Sequence, residues 1–299
     1  MRTLILGNGL IAKGIARKLA LLNGEVIIAS RSIDDKIDNV SYKQHSLEEI
    51  VSNKELFRNV DHVIHTISTT APANSMADIY QDASENVLQN IKLIGMLAEL
   101  KTPKFIFLSS GGAVYGHPSG NKVNEEHATN PVSAYGVAKL AVEKYLYLYG
   151  YHFGLNYLII RPSNVYGYVK SIKKPQGVIS HLLDCAKKDK QFKLWGSVHN
   201  RKDYLYVDDL AEGIITALEK DGNYTSNVYN MSYGETHSIA EIIAIIEQKT
   251  GKKLDIEQVG ETKFDVKNIE VDSALFKSDF NWKPRVDIET GISRITDQF

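Results

Sequence analysis

The sequence predicts an α/β protein built on a doubly wound parallel sheet, with a smaller C-terminal α/β lobe. Three observations predict it. Short runs of β-branched and aliphatic residues at 3–6, 25–29, 61–67, 105–109 and 155–160 are compact and apolar enough to be buried parallel strands. Longer helical stretches at 10–22, 78–100 and 133–151 alternate with them, which is the pattern of βαβ units. Between the first strand and the first helix stand two glycines, Gly7 and Gly9.

The first strand and helix enclose Gly7-Asn8-Gly9-Leu10-Ile11-Ala12, a G-x-G-x-x-A turn in the position of a dinucleotide-binding, Rossmann-type fingerprint. There Gly7 makes the tight turn and Gly9 lets a pyrophosphate approach the backbone. Ala12 lets the helix lie close to the strand, and the helix N-terminus offers free N–H groups to the anion. Asn8, Leu10 and Ile11 complete the expected cofactor turn. The second strand ends in Ala29-Ser30-Arg31-Ser32, with no carboxylate before Asp34. An acidic residue there accepts from the ribose 2′-hydroxyl of NAD, whereas a cation accommodates the 2′-phosphate of NADP. Arg31 therefore modestly favours NADP, with NAD left open.

The third strand ends at His65, which is placed near the nicotinamide as a cofactor contact or a structural core histidine. Thr69 and Thr70 follow on a loop that could line the site. The strand at 105–109 runs into the hydroxyl-rich Ser109-Ser110-Gly111-Gly112. In the next helix Tyr145, Tyr147, Tyr149 and Tyr151 alternate like a strand, but they continue a helical stretch that stops at Gly154; they are read as packing residues. After Gly167 the texture changes. A polar, basic segment at 170–175 precedes shorter elements, with helices expected at 177–188, 207–219 and 239–250. The division expected is 1–168 for the dinucleotide domain, with a return to it around 203–230, and 169–299 mainly for a substrate lobe.

Composition removes other classes. Lys plus Arg number 35 against 36 Asp plus Glu in 299 residues, a net charge of −1, so no basic surplus marks a nucleic-acid polymer as partner. Cys185 is the single cysteine, which excludes an intrachain disulfide or multi-Cys metal site and suits a reducing, cytoplasmic setting. No apolar run reaches the roughly 18 residues of a membrane span. No His, Asp and Glu cluster has metal-ligand spacing, so no metal is expected.

Tyr135 and Lys139 lie four residues apart, one helical turn, and project from one face. A neighbouring ammonium favours a phenolate, so the tyrosine could exchange a proton with a sugar or alcohol oxygen. With the glycine turn, Val63-Ile64-His65, the segment 107–116, Arg161-Pro162-Ser163-Asn164-Val165-Tyr166-Gly167 and the segment 202–209, the chain resembles the extended short-chain dehydrogenase/reductases, in the nucleotide-sugar epimerase/dehydratase branch. The resemblance covers nearly the whole length. It implies Tyr135 as the acid/base at the sugar O4, acting with Lys139 and a hydroxyl, and a nicotinamide that takes or gives hydride at C4.

It also implies that Asn164 contacts the sugar diphosphate. The hydroxyl falls on Ser110, because the position used by many members is Gly111; Ser109 or Ser110 as a strand-end cap is the alternative. Lys202 stands where many members have a diphosphate-binding Arg, with Arg201 adjacent, and a point charge is not equivalent to a guanidinium fork. Thr70 is a further substrate-site candidate. Gly112 and Ala113 occupy the positions where a 4,6-dehydratase carries its acid/base pair, which argues against dehydration and decarboxylation. Cys185 is too far downstream to serve the C3/C5 epimerases. A UDP-hexose 4-epimerase is the first expectation and an NADPH-dependent 4-keto-6-deoxyhexose reductase the alternative. A non-catalytic dinucleotide sensor would lack Tyr135 or Lys139, and both are present. The resemblance further implies a homodimer, formed through the helices at 78–100 and 133–151, which carry apolar residues on more than one face.

Overall fold

In the computed structural model, residues 1–101, 104–120, 122–167, 177–220, 224–260 and 266–298 are described; the basic segment 170–175 and the expected boundary at 168/169 lie outside them. The chain opens with β1 (Arg2–Leu6), α1 (Leu10–Leu21), β2 (Glu25–Ser30) and β3 (Val40–Gln44). A short α2 (Leu47–Ile50), closed by a Ser46/Glu49 capping box, leads to β4 (His62–His65). Next come α3 (Ile79–Ala83), a π-helical turn (Ser84–Leu88) and α4 (Gln89–Glu99). Then β5 (Lys104–Leu108), β6 (Lys122–Val123), α5 (Ala134–Phe153), β7 (Tyr157–Pro162) and β8 (Asn164–Tyr166) complete the first half.

Beyond it lie α6 (Val178–Lys188), β9 (Phe192–Trp195), β10 (Arg201–Tyr206) and α7 (Val207–Glu219). They are followed by β11 (Val228–Met231), β12 (Thr236–Ser238) and α8 (Ile239–Thr250). The chain ends with β13 (Ile256–Gly260), β14 (Asn268–Val271), α9 (Ala274–Phe280) and α10 (Ile288–Thr296).

Seven parallel strands form the main sheet in the order β11-β7-β5-β4-β1-β2-β3. Both faces are covered, with α1 and α7 packed together and α4 packed with α5. Successive side chains of β1 serve opposite faces: Ile5 enters the core beneath α1 and α7, whereas Leu4 and Leu6 enter the core that holds α4 and α5. Burial on both sides is why these strands read as unbroken apolar runs. The order reverses between β1 and β4, and a crevice at such a switch point, beyond the strands' carboxyl ends, is where open α/β sheets take ligands.

The second half of the chain contributes a smaller sheet in which β10 lies among β8, β12 and β14, together with the β9–β13 pair. Its own core includes Leu182, Tyr206, Ile242 and Ile292. The chain also returns to the main sheet, through α7 against α1 and through β11 at the sheet edge.

Two readings of local structure are corrected. The single helix expected at 78–100 carries a π-helical turn in its middle, which an apolar periodicity does not register. The tyrosines of α5 are not uniformly packing residues: Tyr149 packs toward Gly95, but Tyr147 and Tyr151, one turn apart, are largely exposed and Tyr145 is partly so.

Candidate active site

The glycine turn is built as a receptor for an anion. Gly7 follows β1 with φ +112°, a conformation that side chains rarely adopt, and a Cβ there would meet Thr66 Oγ1 at 2.5 Å. A Cβ on Gly9 would meet nothing within 4 Å, so the backbone at the start of α1 is open to approach. Gly9 is the N-cap, with no side-chain cap, and α1 carries no acidic residue in its first turn. Its first N–H groups are therefore not satisfied by a side chain of this helix, and the helix dipole adds to their pull on a pyrophosphate. These features fit a dinucleotide. Leu10 packs against the core of the smaller lobe and Ile11 against the core beneath α1.

The loop after β2 is tied to this turn. Asn8 Nδ2 donates to the carbonyls of Ser32 and Asp34, at 3.2 and 3.3 Å. Lys13, almost fully buried on α1, reaches Asp35 at 3.8 Å. Arg31 is exposed, and its carbonyl accepts from Gln44 Nε2.

Ser110, Tyr135 and Lys139 meet at the carboxyl end of β5. Ser133 caps α5 by accepting from Gly136 N, which starts the helix two residues before Tyr135. Tyr135 is pushed above its ordinary pKa by burial, opposed by the neighbouring Ser110 hydroxyl, with Asp82 adding to the rise. Lys139 Nζ donates to the Leu108 carbonyl at 2.8 Å and lies 5.8 Å from the centre of the Tyr135 ring. Burial lowers Lys139 to about 8, against the opposing pull of Glu143 and Asp82.

The geometry separates the two serines. Ser109 is buried and donates to Glu143, whereas Ser110 is half-buried and adjoins Tyr135. It also accounts for Gly111: a Cβ there would lie 3.0 Å from the Arg161 carbonyl and 3.2 Å from that of Pro162, so the backbone passes too close to β7 for a hydroxyl-bearing residue.

Other sequence-predicted residues fall less simply. His65 has no exposed surface: it is packed against Phe107 and Phe105, and its pKa falls to about 3, chiefly through burial and then through Lys139. It is a neutral core histidine beneath the site and not a surface that a cofactor could touch. Thr70 is likewise engaged, donating to Asp82 and accepting from Asn86 Nδ2 at 3.4 Å. Arg201 is drawn away to α8, where its guanidinium pairs with Glu241 at 2.7 Å and donates to the Thr236 carbonyl at 2.6 Å. Lys202 precedes Asp203 on β10, partly buried. Asn164 does reach the catalytic loop: a Cβ on Gly112 would lie 3.7 Å from its Oδ1, while its Nδ2 donates to the Asp203 carbonyl at 2.9 Å. Asp203, fully buried, accepts from the backbone of Tyr233 and Gly234, and burial raises its pKa to about 6.

Sequence reasoning missed the polar wall of the site. Asp82, Asn86 and Asn90 are buried at successive spacings of four, and Asn86 and Asn90 line a small pocket with Ser68, Tyr135 and Lys139. Asn86 Nδ2 donates to Thr69 Oγ1 at 2.8 Å and to Asp82 Oδ1 at 3.2 Å. Three polar residues at helical spacing amid apolar ones were the available signal. Also missed was the buried cluster of Glu143, Arg161, Tyr115 and Asn230 beneath the catalytic loop. Among the described residues no group of His, Cys, Asp and Glu is arranged to hold a metal ion, and no helix is long and apolar enough to cross a membrane.

The sequence matches the NAD dependent epimerase/dehydratase family over residues 3–232. It is 32% identical to a Methanocaldococcus jannaschii protein provisionally named a UDP-glucose 4-epimerase, covering 97% of this chain and 95% of that one. It is 30% identical to a dTDP-4-dehydro-6-deoxyglucose reductase of Escherichia coli, covering 97% and 94%. Among solved structures it resembles the UDP-glucose 4-epimerase of Thermus thermophilus in complex with NAD, with a TM-score of 0.90, 27% identity, and coverage of 100% of this chain and 98% of that one.

Proposed function

The chain belongs to the NAD dependent epimerase/dehydratase family, and from that premise we propose that it is a nucleotide-sugar 4-epimerase acting on a UDP-hexose by hydride transfer at C4. The observation that carries the reading is the convergence of Ser110 and Tyr135 beside Lys139, next to a loop whose Gly112 and Ala113 have no proton to exchange. The site can therefore move a proton at O4 and nowhere else along that loop.

The glycine turn from Gly7 to Ile11 would hold the dinucleotide's pyrophosphate, and Tyr135 and Lys139 would face its nicotinamide end. When bound, the dinucleotide supplies a hydride acceptor and donor. Tyr135 takes the O4 proton as C4 is oxidised and returns it as C4 is reduced. Ser110 holds the phenol, and through it the sugar oxygen, in line. Lys139 supplies the positive charge that makes a phenolate accessible. Asn164, beside Gly112, would donate to the sugar diphosphate, with Lys202 as the nearby cation. For a 4-epimerase the keto sugar must turn over between the two transfers, and no net reductant is consumed.

A second reading is favoured by one residue and one relative. Arg31 at the end of β2 suits a 2′-phosphate, so NADP binding with 4-keto-6-deoxyhexose reduction is the alternative, in line with the similarity to the Escherichia coli reductase. Purified protein incubated with UDP-glucose, UDP-galactose and their N-acetylated forms decides between them. Epimerisation without added reductant is expected; stoichiometric NADPH oxidation with a 4-keto-6-deoxy sugar alone would transfer the assignment to the reductase, and inertness to all of them would overturn both.

The same reading includes a homodimer. Ile79, Tyr80 and Leu88 on the α3–α4 rod and Tyr147, Leu148 and Tyr151 on α5 are exposed, an apolar surface suited to burial against a second copy. It includes a cytoplasmic setting, consistent with the single cysteine, Cys185. It also includes a division of labour in which residues up to 168, with α7 and β11, bind the dinucleotide and the remainder of the chain binds the sugar nucleotide.

A further inference from the structure

Glu143 and Arg161 form a buried ion pair that the proton chemistry of Tyr135 does not itself require. Each is 4% exposed. The contact is two-pronged, Nε to Oε1 at 3.0 Å and one terminal nitrogen to Oε2 at 2.5 Å. The other terminal nitrogen donates to the Tyr115 phenol at 2.9 Å, and that phenol donates to Asn230 Oδ1 at 2.8 Å. Taking two charges out of water is costly, and apolar replacements of such pairs are often equally stable, so stability alone is a weak reason for the pair.

Its location supplies a better one. The Glu143 carboxylate joins the three elements that carry the proposed chemistry. It stands one turn beyond Lys139 on α5, on the same face. It accepts from Ser109 just after β5, next to Ser110, the hydroxyl that adjoins Tyr135. Through Arg161 it grips the end of β7, three residues before Asn164.

Lys139 needs such a partner. Its ammonium is buried and donates to a neutral acceptor, the Leu108 carbonyl. The groups around it are Glu143 and Tyr135 on α5, Asp82 on α3 and His65 on β4, with Arg161 behind Glu143. Of the two carboxylates, Glu143 has the stronger pull on it.

We infer that Glu143, locked by Arg161, is a positioning residue of the catalytic pair: its carboxylate is the counter-ion of Lys139 and the anchor of the Ser109–Ser110 turn. The inference rests on the assignment of Tyr135 and Lys139 proposed above. Two readouts test it in the full-length protein: the NMR titration of ¹³C-labelled lysine, with the Lys139 signal assigned from Lys139→Arg, and the pH dependence of kcat/KM. Glu143→Gln leaves a neutral acceptor for Ser109 and should make Lys139 titrate about one pH unit or more lower, with the alkaline limb of kcat/KM moving the same way. Glu143→Gln/Arg161→Gln removes both charges, so no lone ion is left buried; the displacement should keep its sign and be smaller. If the single variant does not fold, the double variant carries the same prediction. An unchanged Lys139 titration in either folded variant overturns the inference. Full activity in Lys139→Met would instead overturn the assignment of the catalytic pair on which it rests.

Discussion

The Ser110 hydroxyl adjoins the Tyr135 phenol and opposes the rise in its pKa, although the two arrive from different elements, the turn after β5 and the first turn of α5. Ser109, one residue earlier, faces the other way into the buried Glu143 cluster. The two serines should therefore fail differently when truncated. Ser110→Ala should lower kcat by about 10²–10³ with little change in melting temperature, the usual cost of losing one donor aimed at the reacting oxygen. Ser109→Ala should destabilise the fold by about 1.5–3 kcal/mol, because its hydrogen bond goes to a buried charge. Steady-state kinetics and thermal melts on both variants test the split, and an active, stable Ser110→Ala would remove the hydroxyl from the mechanism.

Tyr135→Phe removes the phenolic proton that the proposed mechanism exchanges with O4 and leaves the ring beside Lys139. Turnover should fall to background while dinucleotide binding, measured by fluorescence titration, stays within about twofold, since no anion-binding group of the glycine turn is touched. Retained full turnover would mean that another group does the proton work.

Lys139 gives the pH dependence. In the proposed mechanism it acts as a cation, and its pKa is lowered from 10.5 to about 8 by burial. The cation is present below about pH 8 and lost above it, so kcat/KM should decline on the alkaline side with a midpoint near 8 in the free protein, approaching tenfold per pH unit beyond it. Stability runs the other way. A lysine with a depressed folded pKa destabilises the fold while it is charged, and that penalty fades between about pH 8 and 10.5. Lys139→Met should therefore melt higher than the parent near pH 7, with the gap closing by pH 10.5. A gap that does not vary with pH contradicts the depressed value.

Much of this was readable in the sequence, and the reason is physical. Strands buried on both faces, such as β1 and β7, show as continuous apolar runs, and amphipathic helices such as α1 show as periodic ones. The glycine turn and the Tyr135–Lys139 spacing were legible because local backbone geometry fixes what they can do. What sequence could not give were properties that depend on distant partners. His65 and Thr70 look like ligand-facing residues until Phe107 and Asp82 are seen to enclose them. Arg201 looks like a free cation until Glu241, 40 residues on, is found holding it. Edge strand β3 and the short strands of the smaller lobe escaped notice because, exposed or only three to five residues long, they carry little pattern.

The exposed apolar residues of α5 predict an association equilibrium. Tyr147 and Tyr151 are 63% and 76% exposed and stack 6.4 Å apart. A Tyr147→Glu/Tyr151→Glu variant would place two charges in any interface formed there, and buried charges without partners are strongly unfavourable. Light scattering should give a dimer for the parent and a monomer for the variant; a parent that is monomeric at every concentration excludes the interface.

In the alternative reading Arg31 selects the cofactor, and its surroundings give that reading a testable form. The loop that carries Arg31 is fixed to the glycine turn by Asn8, which donates to the Ser32 and Asp34 carbonyls, and Asp35, next to Asp34, is 3.8 Å from Lys13. A pyrophosphate seated at Gly9 would therefore bring the ribose toward a loop whose leading side chain is an exposed cation and whose Asp35 carboxylate is paired with Lys13. That arrangement should prefer a 2′-phosphate to a 2′-hydroxyl. Arg31→Ala should weaken NADP about tenfold and leave NAD within about twofold, since one exposed charge-assisted contact contributes roughly 1–2 kcal/mol. Arg31→Asp should reverse the order, because a carboxylate there accepts from the 2′-hydroxyl and repels the phosphate. Calorimetric titration of both dinucleotides into the three proteins reads this directly. Tighter NAD than NADP binding in the parent, together with no response to Arg31→Ala, would leave Arg31 as a solvated surface charge and strengthen the redox-neutral epimerase reading over the reductase.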